Sequence, residues 1–336
     1  MINLLITGGS GYVGTRLISY LLKKKKIRIF NYDIGLYGDD HLPINENLKT
    51  VKKDIRDPIS FENTIKENKI DIVLHLACIS NDPSFDLNPT LSKEVNYLCF
   101  NHLVKLSKIN GVKKFIYAST SSVYGVSESP NVDENHPLKA ITDYNKFKAM
   151  CEPILLDEIN NDFIGLIIRP ATVCGFSEKM RFDLSVNILT NFAYHKGYIN
   201  VFGGEQYRPN IHINDMIRIY DFLIFENIEK FNGETFNAGL QNLKIKEIAN
   251  IVKGVVEEKL QNKIDIRITK SDDIRSYRIN SDKIQKILKF KFTHSIKDAV
   301  VDICDGFESG TIKDSFNEKF QNIRVLLKNK ETTQSK

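Results

Sequence analysis

"LLITGGSGYVG", residues 4–14, decides the fold. An apolar run meets three glycines spaced three apart, Gly8, Gly11 and Gly14, and a helical apolar pattern follows. A strand that ends in a glycine turn and opens into a helix puts small residues where the backbone must approach a bulky anion. The helix start then offers unpaired N–H groups and the positive end of its dipole. The spacing is GxxGxxG rather than GxGxxG, so the surrounding sequence has to carry the rest of the reading.

Outward from this stretch, strands and helices alternate. A helix over Tyr12–Lys23 leads to the strand "KIRIFNYD", then to "LKTVKKD", a helix from Pro58 to Asn68 and the strand "DIVLHLA". A helix over Thr90–Asn110, the strand "KKFIYAS", a helix over Thr142–Asn160 and the strand "FIGLIIRP" follow. Short β-branched strands between helical patterns predict an α/β protein with a doubly wound Rossmann parallel sheet. After Pro170 the pattern loosens. Helices are expected over Asp183–His195, Asn214–Phe225, Lys244–Leu260, Asp282–Leu288 and Ser295–Glu308, with short strands in "INVFGG", "ETFNAG" and "IDIRIT". The expected domains are a dinucleotide-binding domain at 1–170 and a smaller α/β C-terminal substrate lobe at 171–325, interleaved with the last sheet strands. The polar stretch 326–336 has no apolar period and is expected to be disordered.

Composition narrows the function. The 336 residues carry 47 Lys and Arg against 42 Asp and Glu, and a net charge of +5 compels neither a nucleic-acid nor a membrane partner. Five cysteines, Cys78, Cys99, Cys151, Cys174 and Cys304, form no CxxC pair. That disfavours a disulfide framework and a metal site, and makes a reducing cytoplasm the expected location. No apolar run approaches the roughly 20 residues of a membrane helix, and glycine breaks the N-terminal run too soon for a signal peptide.

Asp33 ends the second strand, 19 residues past Gly14. A carboxylate there accepts hydrogen bonds from adenosine ribose hydroxyls and repels a 2′-phosphate, which favours NAD over NADP. Asp54 with Ile55, at the end of the third strand, is a candidate for holding adenine. In "DYNKFK", Tyr144 and Lys148 stand four apart and share a helix face. An ammonium beside a phenol, together with a positively charged nicotinamide, is expected to lower the phenol pKa and make Tyr144 a general base.

In this order "TGGSGYVG", Asp33, "KDIRD", "HLAC", "STSSVYG", "YNKFK", "RPATVCG", "RPNIHINDM" and "DDIRSYRI" resemble the extended short-chain dehydrogenase/reductases that act on nucleotide sugars. The resemblance covers nearly the whole chain. It implies bound NAD or NADP, of which Asp33 favours NAD, contacted also by Tyr12, Val13, Leu76, Ala77 and Pro170, and a catalytic set of Thr120, Tyr144 and Lys148. Thr120, three residues before the Val of "VYG", is the hydroxyl that meets the sugar. Family members that dehydrate the sugar carry Asp then Glu at the next two positions. This chain has Ser121 and Ser122, and a serine cannot supply that acid–base pair, so 4,6-dehydration is disfavoured.

The resemblance further implies that Arg208 and Arg275 grip a diphosphate, that Asn187 contacts the nucleotide and that Arg181 is a further candidate. Arg suits phosphate because its planar fork binds two oxygens at once. "ISNDPS" is the loop expected to face the sugar. Cys78 and Cys174 depart from the family pattern and read as packed thiols, and His75 and His212 as structural. The implied partner is a second copy of the chain, through the helices Thr90–Asn110 and Thr142–Asn160. The implied activity is a nucleotide-sugar 4-epimerase. A C4 dehydrogenase or reductase, for example on a GDP-heptose, stays open, as does a non-catalytic NAD-binding regulator, which the intact Tyr144 and Lys148 disfavour.

Overall fold

A computed structural model describes residues 1–24, 26–271 and 275–334, with side chains described as far as 328. Asp272, Asp273 and Ile274 of the "DDIRSYRI" motif, and Ser335 and Lys336 of the tail, lie outside the described residues.

The chain opens with β1 (Ile2–Thr7), α1 (Tyr12–Leu21), β2 (Ile27–Tyr32), β3 (Leu48–Val51), α2 (Pro58–Asn68) and β4 (Ile72–His75). Then come the short helices α3 (Asp82–Asp86) and α4 (Pro89–Lys93), α5 (Phe100–Ile109), β5 (Lys114–Ala118), α6 (Asp143–Leu156), β6 (Ile164–Pro170) and β7 (Thr172–Cys174). The second half holds α7 (Ser185–Lys196), β8 (Tyr198–Phe202), β9 (Tyr207–His212), α8 (Ile213–Phe225), β10 (Thr235–Ala238), β11 (Gln241–Lys244), α9 (Ile245–Leu260) and β12 (Asp265–Thr269). It closes with α10 (Asp282–Ile287), α11 (Ile296–Glu308) and α12 (Asn322–Gln334).

Seven strands form one sheet in the order β10-β6-β5-β4-β1-β2-β3, every pair parallel. Helices cover both faces, so β1 and β4 are apolar on both sides and Leu4, Leu5, Ile6, Val73 and Leu74 are fully buried. Strand order reverses between β1 and β4. In such sheets ligands settle outside the carboxyl ends of the strands at that switch point. β10 from the second half completes the large sheet beside β6. The rest of that half, joined by β7, builds two small sheets, β11-β9-β7 and β12-β8, around a core of Val186, Ile199, Val201, Ile248, Val252, Val256 and Val300.

Two segments differ from expectation. The helix read over Thr90–Asn110 is broken: Glu94–Leu98 is π-helical between α4 and α5. The wider turn brings Asn96 against the loop after β4, where its Oδ1 accepts from the Ile79 N–H at 2.8 Å and its Nδ2 donates to the Ile79 carbonyl at 2.9 Å. The last helix, α12, runs into the stretch from 326 that reads as disordered. Its start is fixed from upstream, where Phe320 packs edge-on against Phe182 and its carbonyl accepts from the Phe182 N–H at 2.8 Å.

Candidate active site

The glycine turn is held by sterics. Gly8 has φ +74°, and a Cβ there would fall 2.6 Å from the Ala77 backbone; one at Gly14 would fall 2.5 Å from Gly9. Gly11 precedes α1 and offers no side-chain cap, which leaves the first amides of the helix to an outside acceptor. Asp33, one residue past β2, braces the turn: its carboxylate accepts from the Ser10 N–H at 3.0 Å and the Gly35 N–H at 2.8 Å.

These residues line a cavity of about 350 Å³. Gly8, Gly11, Tyr12, Val13, Gly14, Asp33, Asp54, Ile55, Leu76, Ala77, Tyr144, Lys148 and Pro170, the full set expected to hold a cofactor, all face it. The residues fit a dinucleotide: uncapped helix amides suit a diphosphate, Asp33 retains acceptor capacity for ribose hydroxyls, and the wall includes both Asp54 and Tyr144. Asp54 is itself clamped by Arg56, through Nη2 at 2.7 Å and Nε at 3.0 Å.

A second cavity, of about 720 Å³, adjoins the first. Thr120, Ser121, Ser122, Arg181, Arg208, Arg275 and Tyr277 line it, as do Ser80, Asn81 and Asp82 of the "ISNDPS" loop. Tyr144, Ser119, Pro170 and Arg181 belong to both walls. Thr120 caps a short 3₁₀ turn, Ser121–Tyr124; its Oγ1 lies 2.8 Å from Ser122 Oγ and accepts from the Ser122 N–H. Among the described residues the carboxylates of this cavity are Asp82 and Asp183, and both are engaged. Asp82 accepts from Arg275 at 2.7 Å and from the Thr142 hydroxyl at 2.6 Å. Asp183 accepts from Arg181 at 2.8 Å and from Asn81 at 3.1 Å.

Asn187 is a correction. It reaches neither cavity and is fully buried. Its Oδ1 accepts from the Gly175 N–H at 3.1 Å, and its Nδ2 donates to the Tyr12 hydroxyl at 3.2 Å and the Arg181 carbonyl at 3.0 Å. With these bonds made inside the protein, Asn187 shapes the wall rather than touching an occupant.

The Tyr144–Lys148 relation also differs from expectation. Burial pushes the Tyr144 phenol well above its ordinary value, with the Cys78 thiol adding to the rise and Arg181 opposing it. Lys148, 3% exposed, instead donates to the Ala118 carbonyl and stands 4.6 Å from the centre of the Tyr117 ring. Within the protein alone the phenol keeps its proton.

Sequence reading missed a buried network behind the serine loop. The Ser119 hydroxyl donates to Glu152 at 2.6 Å, and Arg169 pairs with Glu152 at 2.6 Å and donates to the Tyr124 hydroxyl at 2.7 Å. Tyr124 donates on to Asn237 at 2.7 Å. The network ties β6, α6 and β10 to the loop that carries Thr120. The only sequence signal was a Glu inside an otherwise amphipathic helix and an Arg at the end of an apolar strand.

Fold and site together define a dinucleotide-dependent enzyme of the short-chain dehydrogenase/reductase type. The chain belongs to the NAD dependent epimerase/dehydratase family, whose profile matches residues 4–239, and its cofactor is NAD. Among characterised proteins it is 24% identical over 322 residues to a UDP-glucose 4-epimerase of Lactobacillus helveticus, covering 88% of this chain and 94% of that one. It is 28% identical over 275 residues to a dTDP-D-glucose 4,6-dehydratase of Dictyostelium discoideum, covering 74% and 62%. The structure of a UDP-glucose 4-epimerase of Thermotoga maritima with UDP-glucose superposes with a TM-score of 0.80 at 20% identity, over 93% of this chain and 100% of that one. That likeness is one of fold.

Proposed function

We propose that this enzyme oxidises and re-reduces C4 of a nucleoside-diphosphate sugar, acting as a 4-epimerase in the supply of surface-polysaccharide precursors. The observation that carries this reading is Tyr144 on the wall shared by the two cavities, with the Thr120 hydroxyl in the larger one. NAD, when bound, supplies the hydride acceptor and donor. Tyr144 takes the proton of the sugar hydroxyl and returns it, Thr120 hydrogen-bonds that hydroxyl, and Lys148 holds the cofactor side of the site. Arg208 and Arg275 supply the cations for the sugar nucleotide's diphosphate. Burial holds the Tyr144 phenol high in the protein alone, so Tyr144 would give up its proton only with a cation beside it, as oxidised NAD would supply.

Dehydration is disfavoured because positions 121 and 122 are serines and because Asp82 and Asp183 are held in ion pairs. A dehydrogenase or reductase acting at C4 would use the same residues and is the second reading. A homodimer through the helical segments 90–110 and 142–160 is supported by Leu98, Ile109 and Met150, which leave large apolar side chains 54%, 75% and 44% exposed. Among the described residues no helix is long and apolar enough to cross a membrane, which is consistent with the proposed cytoplasmic location.

The test is incubation with NAD and a panel of UDP-, GDP- and dTDP-sugars, followed by NMR of the sugar and by NADH absorbance. Inversion at C4 with no net NADH is the expected result. Net NADH would favour the dehydrogenase, and loss of water would overturn the argument from the two serines.

A further inference from the structure

Lys179 plays no part in the chemistry above, yet it is a buried charge at the site without a counter-ion among the described residues. It lies in the loop between β7 and α7 and is 4% exposed. Its Nζ donates to the main-chain carbonyl of Lys319 at 2.6 Å and stands 5.7 and 5.8 Å from the ring centres of Tyr37 and Phe320. An ammonium has three donors, and one is used here. Asp183, on the same loop, is taken by Arg181. No carboxylate of the described residues comes within ion-pair distance of Lys179. Burying a cation without a counter-ion is expensive, and burial lowers its pKa to about 8.

Lys179 lines the cavity of Gly8, Gly11 and Gly14 and does not line the larger one. We propose that Lys179 is a ligand of the diphosphate bridge of the bound dinucleotide, set in place by the C-terminal segment 315–322. That segment is anchored from several sides. Ser315 accepts from Asn191 at 3.4 Å, Phe320 is joined to Phe182 through its carbonyl and ring, and Asn322 reaches the cavity wall itself. The helix amides at α1 and this ammonium thus serve one anion. Arg208 and Arg275 serve the other, on the sugar nucleotide. The inference rests on the cofactor cavity and stands whichever sugar reaction the enzyme performs.

The test uses the full-length protein and the variants Lys179→Met and Lys179→Arg. Equilibrium dialysis measures the affinity for NAD and, separately, for UDP; thermal melting is recorded with and without added NAD. For Lys179→Met the NAD dissociation constant should rise about tenfold or more, with UDP affinity unchanged. Without NAD this variant should melt no lower than the parent, because an unpaired buried charge is gone, and NAD should then raise its Tm by less than in the parent. Lys179→Arg should keep most of the NAD affinity. A folded Lys179→Met that binds NAD as tightly as the parent overturns the proposal, as does one that loses UDP and keeps NAD. If Lys179→Met does not fold, Lys179→Gln is read against the same outcomes.

Discussion

At the residue scale, Tyr144 is half-buried and has access to both cavities. Replacing it with Phe removes one oxygen and leaves the ring in place, so kcat should fall by about 10²–10⁴-fold while the NAD dissociation constant stays within about twofold. Stopped-flow turnover beside equilibrium dialysis checks both halves. Glu152 is the residue-scale counterpart in the scaffold. It is 4% exposed and neutralises Arg169, itself 5% exposed. Glu152→Ala would leave that guanidinium buried without its acid, at a cost of about 3–5 kcal/mol, readable as a lower urea midpoint. Tyr144 and Lys148 are legible in the sequence because a four-residue spacing on a helix fixes their common face. Asn187 came from the family resemblance, and a matched motif says nothing about which groups in this chain have already claimed the amide.

At the scale of elements, the π-helical turn Glu94–Leu98 aims Asn96 at the loop after β4. Asn96→Ala would strand both the N–H and the carbonyl of Ile79, which is 5% exposed. The expected loss is about 1–3 kcal/mol, together with weaker NAD binding, since Leu76, Ala77 and Ser80 on that loop line the cofactor cavity. Chemical denaturation and dialysis measure the two effects. The helices themselves could be read from apolar period and capping: Pro58–Asn68 is as expected, and most others shift by one or two residues at an end. An interruption like this one has no periodic signature. It forms because a polar side chain gains two buried hydrogen bonds on a neighbouring loop, a tertiary effect that overrides local preference.

At the scale of the whole molecule, buried phenols set an alkaline limit. Burial pushes Tyr124 up to about 12, and it raises Tyr12, Tyr32, Tyr37, Tyr117 and Tyr220 as well. Each folded value lies above the roughly 10 of an unfolded tyrosine. The native chain therefore holds protons that the unfolded chain releases, so this stability is complete below about pH 10 and is lost as pH climbs through the folded values. The urea midpoint should fall steadily above about pH 10, where unfolded phenols ionise and the buried ones do not. The doubly wound sheet was legible because each strand and helix announces itself locally. Contacts such as Lys179 with Lys319, 140 residues apart, were not, because only the assembled fold brings them together. The Arg275–Asp82 bridge spans the two halves in the same way. One nitrogen of the Arg275 fork faces Asp82 and the side chain is 43% exposed, so an arriving phosphate meets a cation that an acid from the opposite half of the molecule already aims.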